Sequence, residues 1–147
     1  MAGLRNHRQF DAWQLSAHVR TEVRKLIALP GFHRELDLRD QLRRSARSPC
    51  PNIAEGFARY HPKDFARFVR IARGSLSETI EHLENAVEEG IITDSQAAAS
   101  IEFAERAMGA CTRLICYLES AEAPNRPPKQ RTPRSRSRFA TGSDEDL

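Results

Sequence analysis

Glycine and aromatic residues are scarce in this chain, with 7 glycines and 7% aromatics in 147 residues. Leucine, alanine, arginine and glutamate dominate instead, a balance that disfavours a sheet and favours helices. No apolar run approaches the roughly 20 residues that span a bilayer. The first residues, with Arg5, His7, Arg8 and Gln9, hold no apolar segment of the secretory kind, so a cytoplasmic protein is expected. Cys50, Cys111 and Cys116 form no Cys-x-x-Cys pair and are expected as free buried thiols rather than disulfides or zinc ligands.

The constellations of catalysis are missing too. His7, His18, His33, His61 and His82 are scattered. A di-iron bundle needs Glu-x-x-His pairs, and three residues before His82 stands Thr79. No arginine precedes a histidine by four to six residues, the spacing of one RNA-cleaving helical-bundle class. There is no glycine-rich phosphate loop and no serine beside a histidine base. No enzyme, metal or cofactor is therefore expected.

What is present is helical periodicity. Ala12, Leu15, Val19, Val23 and Leu26, widened by Trp13 and Ala17, predict a first helix over residues 10–29, stopped by Pro30-Gly31. Leu38, Leu42 and Ala46, then Ile53 and Phe57, predict a second that Asp37 caps and that reaches toward Arg59. Pro49 and Pro51 interrupt it, so a kink or a break is expected near residues 48–51. Pro62, Phe65, Val69, Ala72, Leu76, Leu83 and Val87, with Thr79 or Ile80 filling the gap, predict a third helix ended by Gly90. Thr93 and Gln96 make a capping box for a fourth, carried by Ala97, Ile101, Ala104, Met108, Cys111, Ile115 and Leu118. Four amphipathic helices with short connections make an all-α, antiparallel up-down four-helix bundle over residues 10–123, after an N-terminal arm of residues 1–9. Residues 124–147, rich in proline, arginine and serine, are expected to be disordered.

Charge is distributed unevenly. Residues 1–73 hold 15 basic and 7 acidic residues and residues 74–124 hold 2 and 10, so one half is +8 and the other −8. The tail supplies the net charge of +3.

Two motifs stand out. Asp40 to Ala46 followed by Asn52-Ile53-Ala54-Glu55-Gly56, then Phe65 onward to Gly74-Ser75-Leu76-Ser77-Glu78, resembles the bacterial four-helix bundle family of 23S rRNA intervening-sequence proteins. That family is similar to the accessory variability determinant (Avd) of diversity-generating retroelements. The resemblance covers roughly residues 10–118. It implies an all-α bundle assembling as a homopentamer with a central channel and, for the Avd branch, a basic surface that binds nucleic acid and a reverse transcriptase. Pro49 and Pro51 stand where the family pattern has an aliphatic residue and a small or polar one.

The residues themselves suggest a structural role for the motifs. Gly74, Ser75 and Ser77 leave one side of the third helix small, as Ala54 and Gly56 do for the second, which allows close backbone approach. Asn52 and Glu55 are then expected to hydrogen-bond across the contact to Ser75, Arg73 or a carbonyl, because unpaired interior polar groups are costly.

For function, Arg39, Arg43 and Arg47 form a fourfold-spaced row on the second helix, and Lys63, Arg67, Arg70 and Arg73 follow the third, with Arg59 between them. If the two helices lie side by side, these rows merge into one strip that neutralises phosphates, and RNA or an RNA/DNA hybrid is the expected partner. Arg131, Arg134, Arg136 and Arg138 in the tail suit looser phosphate contact. The competing reading is a scaffold for a protein partner, its charges paired within an oligomer through the +8 and −8 halves. Trp13, Ile71 and Phe103 are candidates for that contact surface.

Overall fold

The computed structural model describes residues 5–59, 61–120 and 122–123. Among them lie five α-helices, two short 3-10 turns and no strand: α1 (Asp11–Leu26), α2 (Leu36–Arg47), α3 (Pro49–Phe57), α4 (Pro62–Glu88) and α5 (Asp94–Leu118). The basic tail, with Arg131, Arg134, Arg136 and Arg138, lies outside the described residues.

α2 and α3 are one rod broken at Ser48. Pro49 is the first residue of α3 and Pro51 follows two later. Neither has an N–H to give to the preceding turn, so the backbone ladder lapses and resumes with Asn52 N–H donating to Ser48 O at 3.3 Å. Ser48 itself keeps helical angles, φ −69° and ψ −37°, so the chain bends without forming a loop. The α2–α3 rod packs on α1 and on α4, and α5 packs on the same two helices from the other side. α1 is thus diagonal to α4. Short connections return each rod antiparallel to the last, which makes the expected up-down four-rod bundle.

The apolar stripes converge on the axis. Val19, Val23, Leu42, Ile53, Val69, Leu76, Leu83, Ala97, Ala104 and Cys111 are buried. Several boundaries differ from the periodicity. α1 ends at Leu26 rather than at Pro30, which instead opens a 3-10 turn that buries Phe32. Ser16 takes a core place while Leu15 is half-buried, and its hydroxyl donates to Ala12 O at 2.6 Å. Glu35, not Asp37, precedes α2, without a side-chain cap; Asp37 sits in the first turn, where its charge suits the helix dipole. Thr79, fully buried, fills the α4 slot that Ile80 leaves half-exposed.

The caps match the sequence better. Gly90, at φ +72°, ends α4, with Ile91 N–H donating to Ala86 O at 2.9 Å and Gly90 N–H to Val87 O at 3.0 Å. Thr93 and Gln96 exchange hydrogen bonds at 3.0 and 3.2 Å at the start of α5. The opposite end of the bundle is closed by aromatic rings: Phe10 meets Phe65 and Phe57 edge-on at 5.6 and 5.7 Å.

Candidate nucleic-acid interface

The Asn52–Gly56 motif binds α3 to α4, by a route different from the expected one. Asn52 does not reach across the contact. Its Nδ2 donates to Ser48 O at 2.9 Å and to Ser48 Oγ at 3.0 Å, within its own rod at the break. Ser75 Oγ donates to Ser48 Oγ at 2.9 Å, and that bond makes the crossing from α4. One turn further along α4, Thr79 Oγ1 lies 2.9 Å from Ser45 Oγ and 2.8 Å from Ser75 O. Ser45, Ser48, Ser75 and Thr79 therefore line the junction with paired hydroxyls, as buried polar groups require. Glu55 faces solvent and pairs with Arg59 at 2.7 Å instead.

Only one of the two motif glycines is a contact glycine. A Cβ on Gly56 would lie 2.6 Å from Phe65 Cδ2 and 2.8 Å from Phe68 Cβ, whereas a Cβ on Gly74 would meet nothing within 4 Å. The helical step explains the difference. Ser75 and Thr79, four apart, share the face toward the α2–α3 rod, and Gly74, one residue back, is rotated by about 100° away from Ser75.

The cations do not form one strip. α2 directs its row toward α1, where Arg43 and Arg47 line a cleft of about 490 Å³ together with Arg20, Thr21, Val23 and Arg24. On the other flank of α2, Arg44 joins Arg43 and Arg47 around a shallower depression beside Asp40. Arg39 is half-buried, its Nε 3.6 Å from Asp40 and without a hydrogen bond. The α4 row turns elsewhere. Arg70 pairs with Glu119, and Arg73 Nε donates to Thr112 Oγ1 at 2.9 Å, both beyond the end or on the outer face of α5. Arg59 and Arg67 both rest on the Phe68 ring, their guanidinium carbons 4.9 and 4.6 Å from its centroid. Lys63 lines a hollow with Arg70 and Glu119. Arg70 and Arg73 thus belong to the α4–α5 groove, opposite the α1–α2 groove, while Arg59 and Arg67 stand with Phe68 at the α3–α4 contact, so the two rows do not form one strip.

Arg20 and Arg24 were not among the expected site residues. Their signal was legible: a fourfold-spaced pair off the core stripe of α1, the same pattern as Arg43 and Arg47 on the neighbouring antiparallel rod. No carboxylate lies within 4 Å of Arg20, Arg24, Arg44 or Arg47 among the described residues, and Asp40 engages Arg43 at 3.1 Å. Such exposed ion pairs contribute only about 0.2 to 1 kcal/mol.

Residues 8–113 match the family model described as 23S rRNA-intervening sequence protein. The chain belongs to that family. In this 23S rRNA-intervening sequence protein the matched span takes in α1 to α4 and most of α5, including both motifs and the arginine cleft. A comparison with curated proteins gives no match.

Among the described residues no three His, Cys, Asp or Glu side chains gather as metal ligands would. Burial pushes the Cys111 thiol up to about 12 against an opposing pull from Arg73, and burial raises Cys50 as well, so both stay protonated near neutral pH; Cys116 is exposed rather than buried as expected, because it lies off the core stripe of α5. No described helix is long and apolar enough to cross a membrane. Of the expected contact residues, Ile71 is exposed, while Trp13 and Phe103 are half-buried against the core.

Proposed function

We propose that this family member is a non-enzymatic, cytoplasmic, oligomeric nucleic-acid-binding bundle whose α1–α2 cleft grips phosphates. The observation that carries the reading is the convergence of Arg20, Arg24, Arg43 and Arg47 on one cleft, where among the described residues Asp40 alone forms an ion pair with them, through Arg43. Four guanidinium groups in a concave site attract a polyanion strongly, and their fork geometry suits phosphate oxygens. RNA or an RNA/DNA hybrid is the partner, and by resemblance to Avd the bundle serves as accessory to a reverse transcriptase.

The test is anisotropy of a labelled structured RNA against the protein at two salt concentrations. With four phosphates neutralised, affinity falls about 50- to 150-fold between about 50 and about 200 mM salt. Arg43→Gln with Arg47→Gln weakens binding and lowers the salt slope by between one and two. Arg70→Gln with Arg73→Gln, on the opposite groove, leaves both unchanged. Ending the chain at Pro124 separates the contribution of the tail. The rival reading, a scaffold for a protein partner, predicts no association even at low salt.

A further inference from the structure

We infer that the strand held in the α1–α2 cleft is single-stranded, its bases stacking on an aromatic shelf that continues the cleft along α1. The inference rests on the phosphate-binding reading above and specifies what is bound.

The shelf adjoins the cations. A hollow of about 270 Å³ is lined by Trp13, Gln14, Ala17, His18 and Thr21, and Thr21 also lines the arginine cleft. Arg20, a wall of that cleft, stands 6.0 Å from the Trp13 ring centroid, and Arg8 covers the same ring at 4.8 Å. Trp13, Ala17, Arg20 and Arg24 follow steps of four, three and four, so one stripe of α1 passes from aromatic to cationic over about 16 Å. His18 flanks this stripe; it is exposed and lies parallel on Phe103, with centroids 4.9 Å apart and an interplanar angle of 14°.

Trp13 is half-buried, with His7 in an edge-type contact at 5.9 Å, and His18 is exposed beyond its stack on Phe103. A ring held flat by its neighbours loses little freedom when a base stacks on it. In a duplex the bases already stack on one another and cannot reach such a shelf, whereas every unpaired base has a π-face to offer. A duplex would engage the arginines alone; only a single strand uses the arginines and the rings at once. Arg8 and Arg20, resting on Trp13, then turn to the phosphates on either side of the stacked base.

Trp13 is the chain's 1 tryptophan, so fluorescence of the full-length protein excited at the red edge, beyond tyrosine absorption, reports this site alone. The probes are a short labelled oligouridylate, an oligodeoxythymidylate of equal length and a duplex of that length. Anisotropy reads binding and tryptophan emission reads stacking. Both single strands are expected to quench the emission and to bind more tightly than the duplex. Trp13→Leu and the exposed His18→Ala are each expected to weaken single-strand binding about five- to tenfold or more and to leave duplex binding unchanged; His18→Ala removes no core atom, so it decides the matter if Trp13→Leu melts early. Duplex and single strands binding alike with unaltered emission in the parent protein, or single-strand affinity that neither variant weakens, overturns the inference and leaves the phosphate site standing. Binding of none of the three probes overturns both.

Discussion

Replacing Gly56 by alanine adds one carbon where α3 meets α4. That carbon would lie 2.6 Å from Phe65 Cδ2, 2.8 Å from Phe68 Cβ and 3.1 Å from Phe65 O. The ring atom has little room to yield, because Phe65 is 4% exposed and lies edge-on to both Phe10 and Phe57. The Phe68 Cβ and the Phe65 carbonyl move only with α4 itself. The rods must therefore separate, and overpacking of this kind costs about 1 to 3 kcal/mol. Alanine's better helix propensity returns less than about 1 kcal/mol, and little of that at the penultimate residue of α3. The net loss of about 1 to 2 kcal/mol lowers Tm by about 4 to 8 °C in a domain of this size. Gly74→Ala is the matched control. With nothing within 4 Å of its Cβ and a mid-helix position in α4, it gains about 0.5 to 1 kcal/mol and raises Tm by about 2 to 4 °C. Circular-dichroism melts of the two variants and the parent measure both. Tm shifts of the same sign, or an unaffected Gly56→Ala, would refute the close-contact account of the motif.

The remaining predictions concern the polar junction and the thiols. Asn52→Ala removes the bonds to Ser48 O and Oγ and costs about 1 kcal/mol in denaturant unfolding, and Thr79→Val, which strips the buried bond to Ser45, costs about 1 to 2 kcal/mol; the double variant loses less than the sum if the network acts as a unit. Ellman's reagent is expected to modify one thiol rapidly in the native protein, the exposed Cys116, and all three after denaturation, because Cys50 and Cys111 are buried. Below the ordinary thiol pKa of 9.0 Cys111 is neutral in both folded and unfolded chains and its burial stabilises the fold; as pH climbs from 9.0 toward about 12 the unfolded chain ionises first, so stability falls across that window in alkaline melts.

How far the sequence could be read depended on whether a feature was local. Element identity, the Thr93–Gln96 box, the Gly90 cap and the interruption at Pro49 are set by residues within one or two turns of each other, and all were legible. Which face of a rod meets which neighbour is not local. Ser75 and Gly74 are adjacent in the chain and equally small, yet one crosses to Ser48 and the other faces solvent. The arginine rows show the same limit. Fourfold spacing identified Arg39, Arg43 and Arg47 as a row, but not that the row faces α1, where Arg20 and Arg24 complete the cleft. Pairing it with the α4 row required two grooves of the bundle to coincide, and α5 draws Arg70 and Arg73 to the opposite side. The expected Asn52 and Glu55 bonds erred for a related reason. Ser48 lies one turn before Asn52, so the Asn52 amide reaches its carbonyl, which already accepts the Asn52 N–H, and its hydroxyl sooner than any group on α4.

The break at Ser48 also lets the two halves of the rod keep different registers against the neighbours they share. A straight helix presents a single face over its whole length, so a rod that packed Gly56 tightly against Phe65 and Phe68 would carry that register into its first half. Two prolines at the start of α3 remove the ladder bonds that would enforce such continuity. α3 is then free to press on α4 through Gly56, while α2 sets Ala46, Arg43 and Arg47 beside Val23 and Ile27 of the α1 side. The Ser48 hydroxyl, accepting from both Asn52 and Ser75, fixes the bend against α4 so that the two halves keep one relative orientation. The buried motif and the exposed arginines are thus parts of one arrangement: the first sets the angle of α2, and that angle forms the cleft in which Arg43 and Arg47 stand opposite Arg20 and Arg24.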